Sequence, residues 1–370
     1  MSNLREADTN NVLDRPASSQ CPFAIEQIEA VFAPLLGNRP VRVCEVFSGN
    51  INTIVKVDIE GQNYGLRVRT HEQVYRYEPD LIKEAFVIWL LDHAGAVKDN
   101  VEVAAAFSVI RAVRCSATAS SNGMLPPVLY YDWSRRRLAH PYCVYRWVEG
   151  VPLWSTPETR LYALAGQQLA KIHQVVFSAF YTDFLSIGQQ PVRWSSRYRS
   201  ALEREVAAAR SRLRGSIMDA FRQLAIPDTV TCAPCLVHND FSPGNILVRD
   251  NTIAAVIDWD NAVIDSAHLD FVKMKYWTVK NARGELAYEP GLFAAFVDGY
   301  GTAGRELVSS SIFTLYEVLW LLRVFNFEQA KEEQGIARTP GYPAAAIYTE
   351  FLPAALSRLT HLPRGEDSIP

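Results

Sequence analysis

Cysteine is scarce in this chain: six residues scattered over 370 positions. In a chain of this length that spacing is not a disulfide framework. Cys232 and Cys235 form a lone C-x-x-C. A zinc site needs a second pair or nearby histidines, and His238 alone is poor support, so the two read as small apolar residues entering a strand. Long hydrophobic runs are also missing, because charge breaks every candidate before it reaches bilayer length. Neither sign of charge prevails: 37 Lys and Arg stand against 40 Asp and Glu, a formal net charge of −3. That balance argues against a general electrostatic grip on nucleic acid or on an acidic membrane. The opening MSNLREADTNNVLDRPASSQ has neither the basic start nor the apolar core of a secretory signal. Residues 1–21 are expected to be a disordered leader, with the cytoplasm as the default location.

What is present is a 49% hydrophobic chain, enough for one large or two modest cores. Its most informative stretch is CLVHNDFSPGNILV followed by AAVIDWDNAV. Asp240 and Asn245 are separated by four residues inside H-x-D-x-x-x-x-N, the spacing of a kinase catalytic loop. Pro243 and Gly244 turn the chain into a strand over Ile246–Val248, and Asp250-Asn251 folds a second strand, Ile253–Ile257, back beside it. Asp258 ends that strand. Phosphoryl transfer is mostly positioning and charge neutralisation. A carboxylate must orient the attacking hydroxyl and accept its proton, the role expected of Asp240. Magnesium takes oxygen ligands and keeps several waters, so Asn245 and Asp258 suit it. The competing reading is a hairpin whose Asp and Asn merely cap turns.

With His238 to Asn245, a short hairpin and Ile257-Asp258-Trp259-Asp260, the chain resembles the aminoglycoside phosphotransferase and choline kinase-like superfamily of small-molecule kinases. The likeness runs from Val41 to about Trp277. It implies an α+β, protein-kinase-like two-lobed fold: a small N-terminal antiparallel-sheet lobe and a larger, mainly helical C-terminal lobe. It also implies ATP or GTP as phosphate donor, Mg2+, and an alcohol as acceptor. The expected division is a nucleotide-binding lobe with hinge over 22–148, carrying an insertion at about 96–125, and a catalytic and acceptor-binding lobe over 149–370.

Upstream, strands over Val41–Phe47 and Asn52–Ile59 flank Ser48-Gly49-Asn50. Such a turn covers nucleotide phosphates with backbone N–H groups in kinases, although only one glycine is present. In the alternating strand Tyr64–Val68, Arg67 and Arg69 share one face. The family reads L-K or L-R here, so the resemblance carries the phosphate-binding cation to Arg67, with Arg69 as its competitor. A helix from about Pro79 to His93 places Glu84 where a kinase glutamate would brace that cation. Strands over Pro127–Asp132 and Pro141–Val148 follow, and the resemblance puts the nucleotide base against the backbone around Tyr145 to Val148, Trp147 included. His173 and His238 are expected to pack or hydrogen-bond rather than react. Asp270 is expected to tie its helix to the catalytic loop.

Helices over Pro157–Val176, Tyr198–Arg214, Ile217–Leu224, Leu292–Tyr300, Val308–Glu332 and Ala344–Leu359 complete the chain. Acceptor-site candidates are Asp260, Asp265, Tyr276 and Trp277. From Glu149 onward, 24 acidic residues face 21 Lys and Arg, no mark of a polycation pocket. An aminoglycoside or other antibiotic, choline, ethanolamine, homoserine and sugars all remain open as acceptors. A protein kinase fits less well: Asn239 replaces the arginine of H-R-D, Trp259-Asp260 replaces Phe-Gly, and no A-P-E follows. A nucleotide-binding pseudokinase is the alternative of a different class.

Overall fold

The computed structural model describes residues 21–48, 52–70, 81–92, 103, 105–106, 115–117, 128–209, 215–224, 226–227, 233–281, 284–333, 335 and 350–360. The chain divides into two compact units. The first comprises Met1–Asp92, Val109–Thr156 and Gly244–Asp260; the second comprises His93–Ser108, Pro157–Pro243 and Asn261–Pro370.

The first unit is built on a six-stranded sheet ordered β1-β2-β3-β6-β5-β4, antiparallel at every pairing. Its strands are β1 (Arg42–Ser48), β2 (Asn52–Ile59), β3 (Gln62–Arg69), β4 (Cys115–Ala117), β5 (Val128–Asp132) and β6 (Tyr142–Arg146). Alternation in β2 sends Val55, Val57 and Ile59 inward, each at most 3% exposed, where β-branched side chains fit a pleated, half-buried surface. They join Leu66, Val68, Tyr142 and Val144 in one core. Helix α1 (Ile25–Leu36) adds Ile28, Val31 and Phe32 to that core, an element that the sequence analysis did not anticipate. Helix α2 (Leu81–Asp92) buries Ala85, Phe86, Val87, Ile88 and Leu90.

A second, three-stranded sheet joins β7 (Val151–Pro152), β9 (Ile246–Arg249) and β10 (Thr252–Val256). Asp250 and Asn251 both sit at positive φ, 51° and 56°, the backbone that a two-residue hairpin turn demands. Pairing of β9 with β7 is why the hairpin falls in the first unit, whereas the expected division at 148/149 put the whole of 149–370 in the other lobe.

The second unit is mainly helical: α3 (Thr159–Ile172), α4 (Trp194–Ala209), α5 (Gly215–Gln223), α6 (His268–Tyr276), α7 (Pro290–Tyr300), α8 (Thr302–Ser309), α9 (Ser311–Glu333) and α10 (Leu352–Thr360). The expected single helix over Val308–Glu332 is two, because the chain breaks at Ser310, whose hydroxyl accepts from the Phe313 N–H at 3.2 Å. Among the described residues no single helix is long and apolar enough to cross a membrane. A short antiparallel pair, β8 (Pro234–Val237) with β11 (Val263–Ser266), leads into the segment that begins at His238. Cys235 lies buried on β8; Cys232, most of the 96–125 segment, Gly49 and Asn50 fall outside the described residues.

Candidate active site

In the second unit, β8 delivers His238, Asn239 and Asp240. Asn239 sits at φ 62°, a left-handed conformation in which Asn is several-fold enriched. Three bonds to Asp270 of α6 fix this bend. Its Oδ1 accepts from the Asn239 N–H at 2.7 Å, and its Oδ2 accepts from the His238 N–H at 2.8 Å and from His173 Nε2 at 3.1 Å. The Asn239 side chain donates to the Asn261 carbonyl at 3.0 Å, and His238 Nδ1 accepts from the Asp240 N–H at 3.2 Å. Both histidines therefore hold backbone and partner groups.

The Asp240 carboxylate is itself paired, through Oδ1, with the ammonium of Lys273. Lys273 lies on α6 and its Nζ stands 4.4 Å from the centre of the Trp277 ring, one turn on. Burial pushes this ammonium down to about 7; the carboxylate against it acts in the other direction, since an opposite charge favours the charged form. Sequence reasoning missed Lys273. Its only local signal was a Lys and a Trp four apart on one helical face, which is far commoner as packing than as chemistry.

In the first unit, Asn245 closes a 3-10 turn (Pro243–Asn245), and its carbonyl accepts from the Ile257 N–H at 2.9 Å. Gly244 lies against the indole of Trp154 so closely that a Cβ would overlap the ring. Asp258, at φ 69°, lies in a backbone region where strain gathers at functional sites.

Arg67 of β3 is the centre of this unit's charge. It is 5% exposed and donates to Glu84 Oε2 at 3.3 Å, to Asp258 Oδ1 at 2.5 Å, and to both oxygens of Asp260 at 2.6 and 2.7 Å. With its amide turned to present oxygen, Asn52 accepts from Nη2 and Nε at 2.7 and 3.0 Å. Three carboxylates face one guanidinium here, a formal balance of −2. Burial and the neighbouring Asp260 push Asp258 up. Burial also disfavours charge on Asp260, but Arg67 overrides it and holds that carboxyl well below the usual range. Burial raises Glu84 against the pull of Arg67. Asp258 keeps a 38% exposed side chain while Asp260 keeps 3%, so Asp258 is the carboxylate open to a further ligand. Among the described residues no three His, Cys, Asp or Glu side chains are grouped to hold a metal ion by themselves; a cation here would take Asp258 and draw its other oxygen ligands from bound phosphate and water.

The remaining candidates are placed as follows. Ser48 ends β1 opposite Thr53. Tyr145 sits opposite Gly65, where a Cβ would collide with its ring. Trp147 stacks on Phe47 at 6.0 Å and on Tyr145 at 6.4 Å, with Lys56 Nζ 5.0 Å from its centre. Among the acceptor candidates, Asp260 is turned onto Arg67. Asp265 is buried between Arg197 (3.2 Å) and the Tyr316 hydroxyl (2.5 Å). Tyr276 donates to Glu317 at 3.0 Å and stacks on Trp320, and Trp277 packs edge-on to Trp320.

The Arg67–Glu84 pair gives a direct expectation. Arg67→Ala raises the nucleotide KM more than that of the acceptor, and Glu84→Ala does the same more mildly. Because the two share one contact, a double-mutant cycle should show a coupling of roughly 0.5–3 kcal/mol. Strict additivity would detach Glu84 from the site, and a larger defect from Arg69→Ala would move the role to that residue.

Comparison with known proteins bears on the same segments. The model of a phosphotransferase enzyme family matches residues 43–308. Among solved structures, a thermostable mutant of aminoglycoside phosphotransferase APH(4)-Ia, in ternary complex with AMP-PNP and hygromycin B, is similar at 18% identity and TM-score 0.57. It covers 90% of this chain and 98% of its own. A complex of a related mutant with ADP and hygromycin B aligns at 16% identity and TM-score 0.56, covering 90% and 98%. A protein from Ralstonia eutropha JMP134, provisionally assigned as an aminoglycoside phosphotransferase, aligns at 17% identity and TM-score 0.57, covering 90% and 96%. These likenesses establish the kinase-like fold. No curated protein matches the chain.

Proposed function

Since this chain belongs to the phosphotransferase enzyme family, we propose that it moves the γ-phosphoryl group of ATP or GTP, held with magnesium, to a hydroxyl of a small molecule. Aminoglycosides and other hydroxyl-bearing antibiotics are the first acceptors to test, and choline, ethanolamine and homoserine the next. The observation that carries the reading is the convergence of Glu84, Asp258 and Asp260 on Arg67. A pairing of strand cation and helix glutamate, with a late aspartate alongside, is the arrangement that phosphoryl transfer uses.

Each residue then has a task. Asp240 orients the acceptor hydroxyl and takes its proton as the new O–P bond forms. The bond from the γ-phosphorus to its bridging oxygen breaks, and the nucleoside diphosphate leaves. Asn245 and Asp258 would hold magnesium, which when bound neutralises charge on the phosphate oxygens. Arg67, released in part from its carboxylates, would meet the α- and β-phosphates, with Glu84 keeping it extended. Backbone from Tyr145 to Val148 would receive the base, and the turn after Ser48 would cover the phosphates.

A thermal-shift screen tests the reading. A ligand that binds only the folded state raises apparent stability by about 2.7 kcal/mol at 100-fold its Kd. Magnesium with ATP or GTP should raise Tm, and one class of alcohol should raise it further. A shift by nucleotide that ignores magnesium, with no response to any alcohol, would favour a pseudokinase.

A further inference from the structure

Helix α6 holds the catalytic loop at two points three residues apart. Asp270 binds the loop backbone at His238 and Asn239, and Lys273 binds the Asp240 side chain. Spacing of i and i+3 puts both on one face of the helix. Around them the helix buries Leu269, Phe271, Val272 and Met274. The pair is largely rather than fully buried, its side chains 16% and 15% exposed, and such an ion pair is poor evidence of stabilisation, because apolar replacements of similar volume are often neutral or better. The ammonium also lies over the Trp277 ring face. An ordered cation on the proton acceptor calls for a chemical reason.

We propose, resting on the phosphotransferase reading above, that Lys273 is a positioning residue for transfer: its ammonium fixes Oδ1 of Asp240 and thereby the direction in which Oδ2 meets the acceptor hydroxyl. A carboxylate otherwise turns about its Cβ–Cγ bond, and small misplacements of a catalytic group cost rate rather than binding. The Trp277 ring, 4.4 Å from the ammonium, helps to keep it in place.

The test follows magnesium–ATP and magnesium–GTP hydrolysis, with water as acceptor, by release of the diphosphate. Lys273→Met should lower kcat by about 10²-fold with nucleotide KM within about twofold, and with Tm not reduced. Lys273→Arg should recover most of the loss, which a purely space-filling role would not allow. In an Asp240→Asn background Lys273→Met should have no further effect, since both act through one group. A Lys273→Met protein with near wild-type kcat, or losses that add in the double variant, would overturn the proposal. Should Lys273→Met not fold, Trp277→Leu loosens the same ammonium, and unchanged kcat there would overturn it equally. If the wild-type protein releases no diphosphate and modifies no alcohol, the phosphotransferase reading falls and this assignment with it; wild-type activity with an indifferent Lys273→Met removes this assignment alone.

Discussion

Asp240→Asn should cost about 10²- to 10⁴-fold in kcat, the range for loss of a general base, while nucleotide affinity stays near wild type. The amide fills the same space but cannot take the hydroxyl proton. A second signature follows from Lys273, which loses its counter-ion in this variant. In the intact protein burial already pushes that ammonium down to about 7 against an ordinary 10.5, and loss of the carboxylate removes a charge that favours the ammonium. Between those values the unfolded chain binds more protons than the folded one, so stability rises with pH across the window. Wild-type protein, with the pair intact, should rise less. Near wild-type kcat in Asp240→Asn would remove Asp240 as the base.

The other large effect is expected from Asp258→Ala: magnesium-dependent nucleotide binding should fall by more than about 10²-fold, because a charged ligand to a hard cation is lost. Without nucleotide, the same variant should be as stable as wild type or more so. Asp258 is an acid whose folded pKa is pushed up by burial and by Asp260. Such a group costs stability increasingly as pH rises above the ordinary carboxylate range, a cost that alanine abolishes. Arg67 keeps Asp260 and Glu84 as partners. Titration calorimetry in magnesium and thermal melts from pH 4 to pH 8 check both halves. Unchanged affinity would take Asp258 out of the metal site.

What the sequence displayed and what it hid divide along the distance between partners. The strand–turn–strand unit from β8 to Asp258 was legible because its turn residues, alternation and spacing are local. The strand β2 came out at its expected bounds, Asn52–Ile59, since a clean period of two bounded by turns leaves little choice. Asp260 shows the limit. Read from the chain it stood with the acceptor candidates; in the structure a 3-10 turn (Trp259–Asn261) aims its carboxylate at Arg67, 193 positions away. Arg67 and Arg69 share a face, so alternation could not rank them, and only the fold shows Arg67 paired with Glu84. Lys273 was invisible for the same reason, as its partner Asp240 lies on another element. Helix α1 escaped because Pro34 lies within it, a residue that ordinarily ends a helical pattern.

Transfer of a phosphoryl group to a small alcohol can be read straight from the mass of the acceptor. Purified protein would be incubated with magnesium and ATP or GTP against hygromycin B and other hydroxyl-bearing antibiotics, choline, ethanolamine, homoserine and simple sugars. One acceptor class should gain the mass of a single phosphoryl group, only with magnesium present, and Asp240→Asn should abolish the gain. Nucleotide bound without magnesium and no acceptor modified, or phosphate entering casein-like protein instead, would contradict the account.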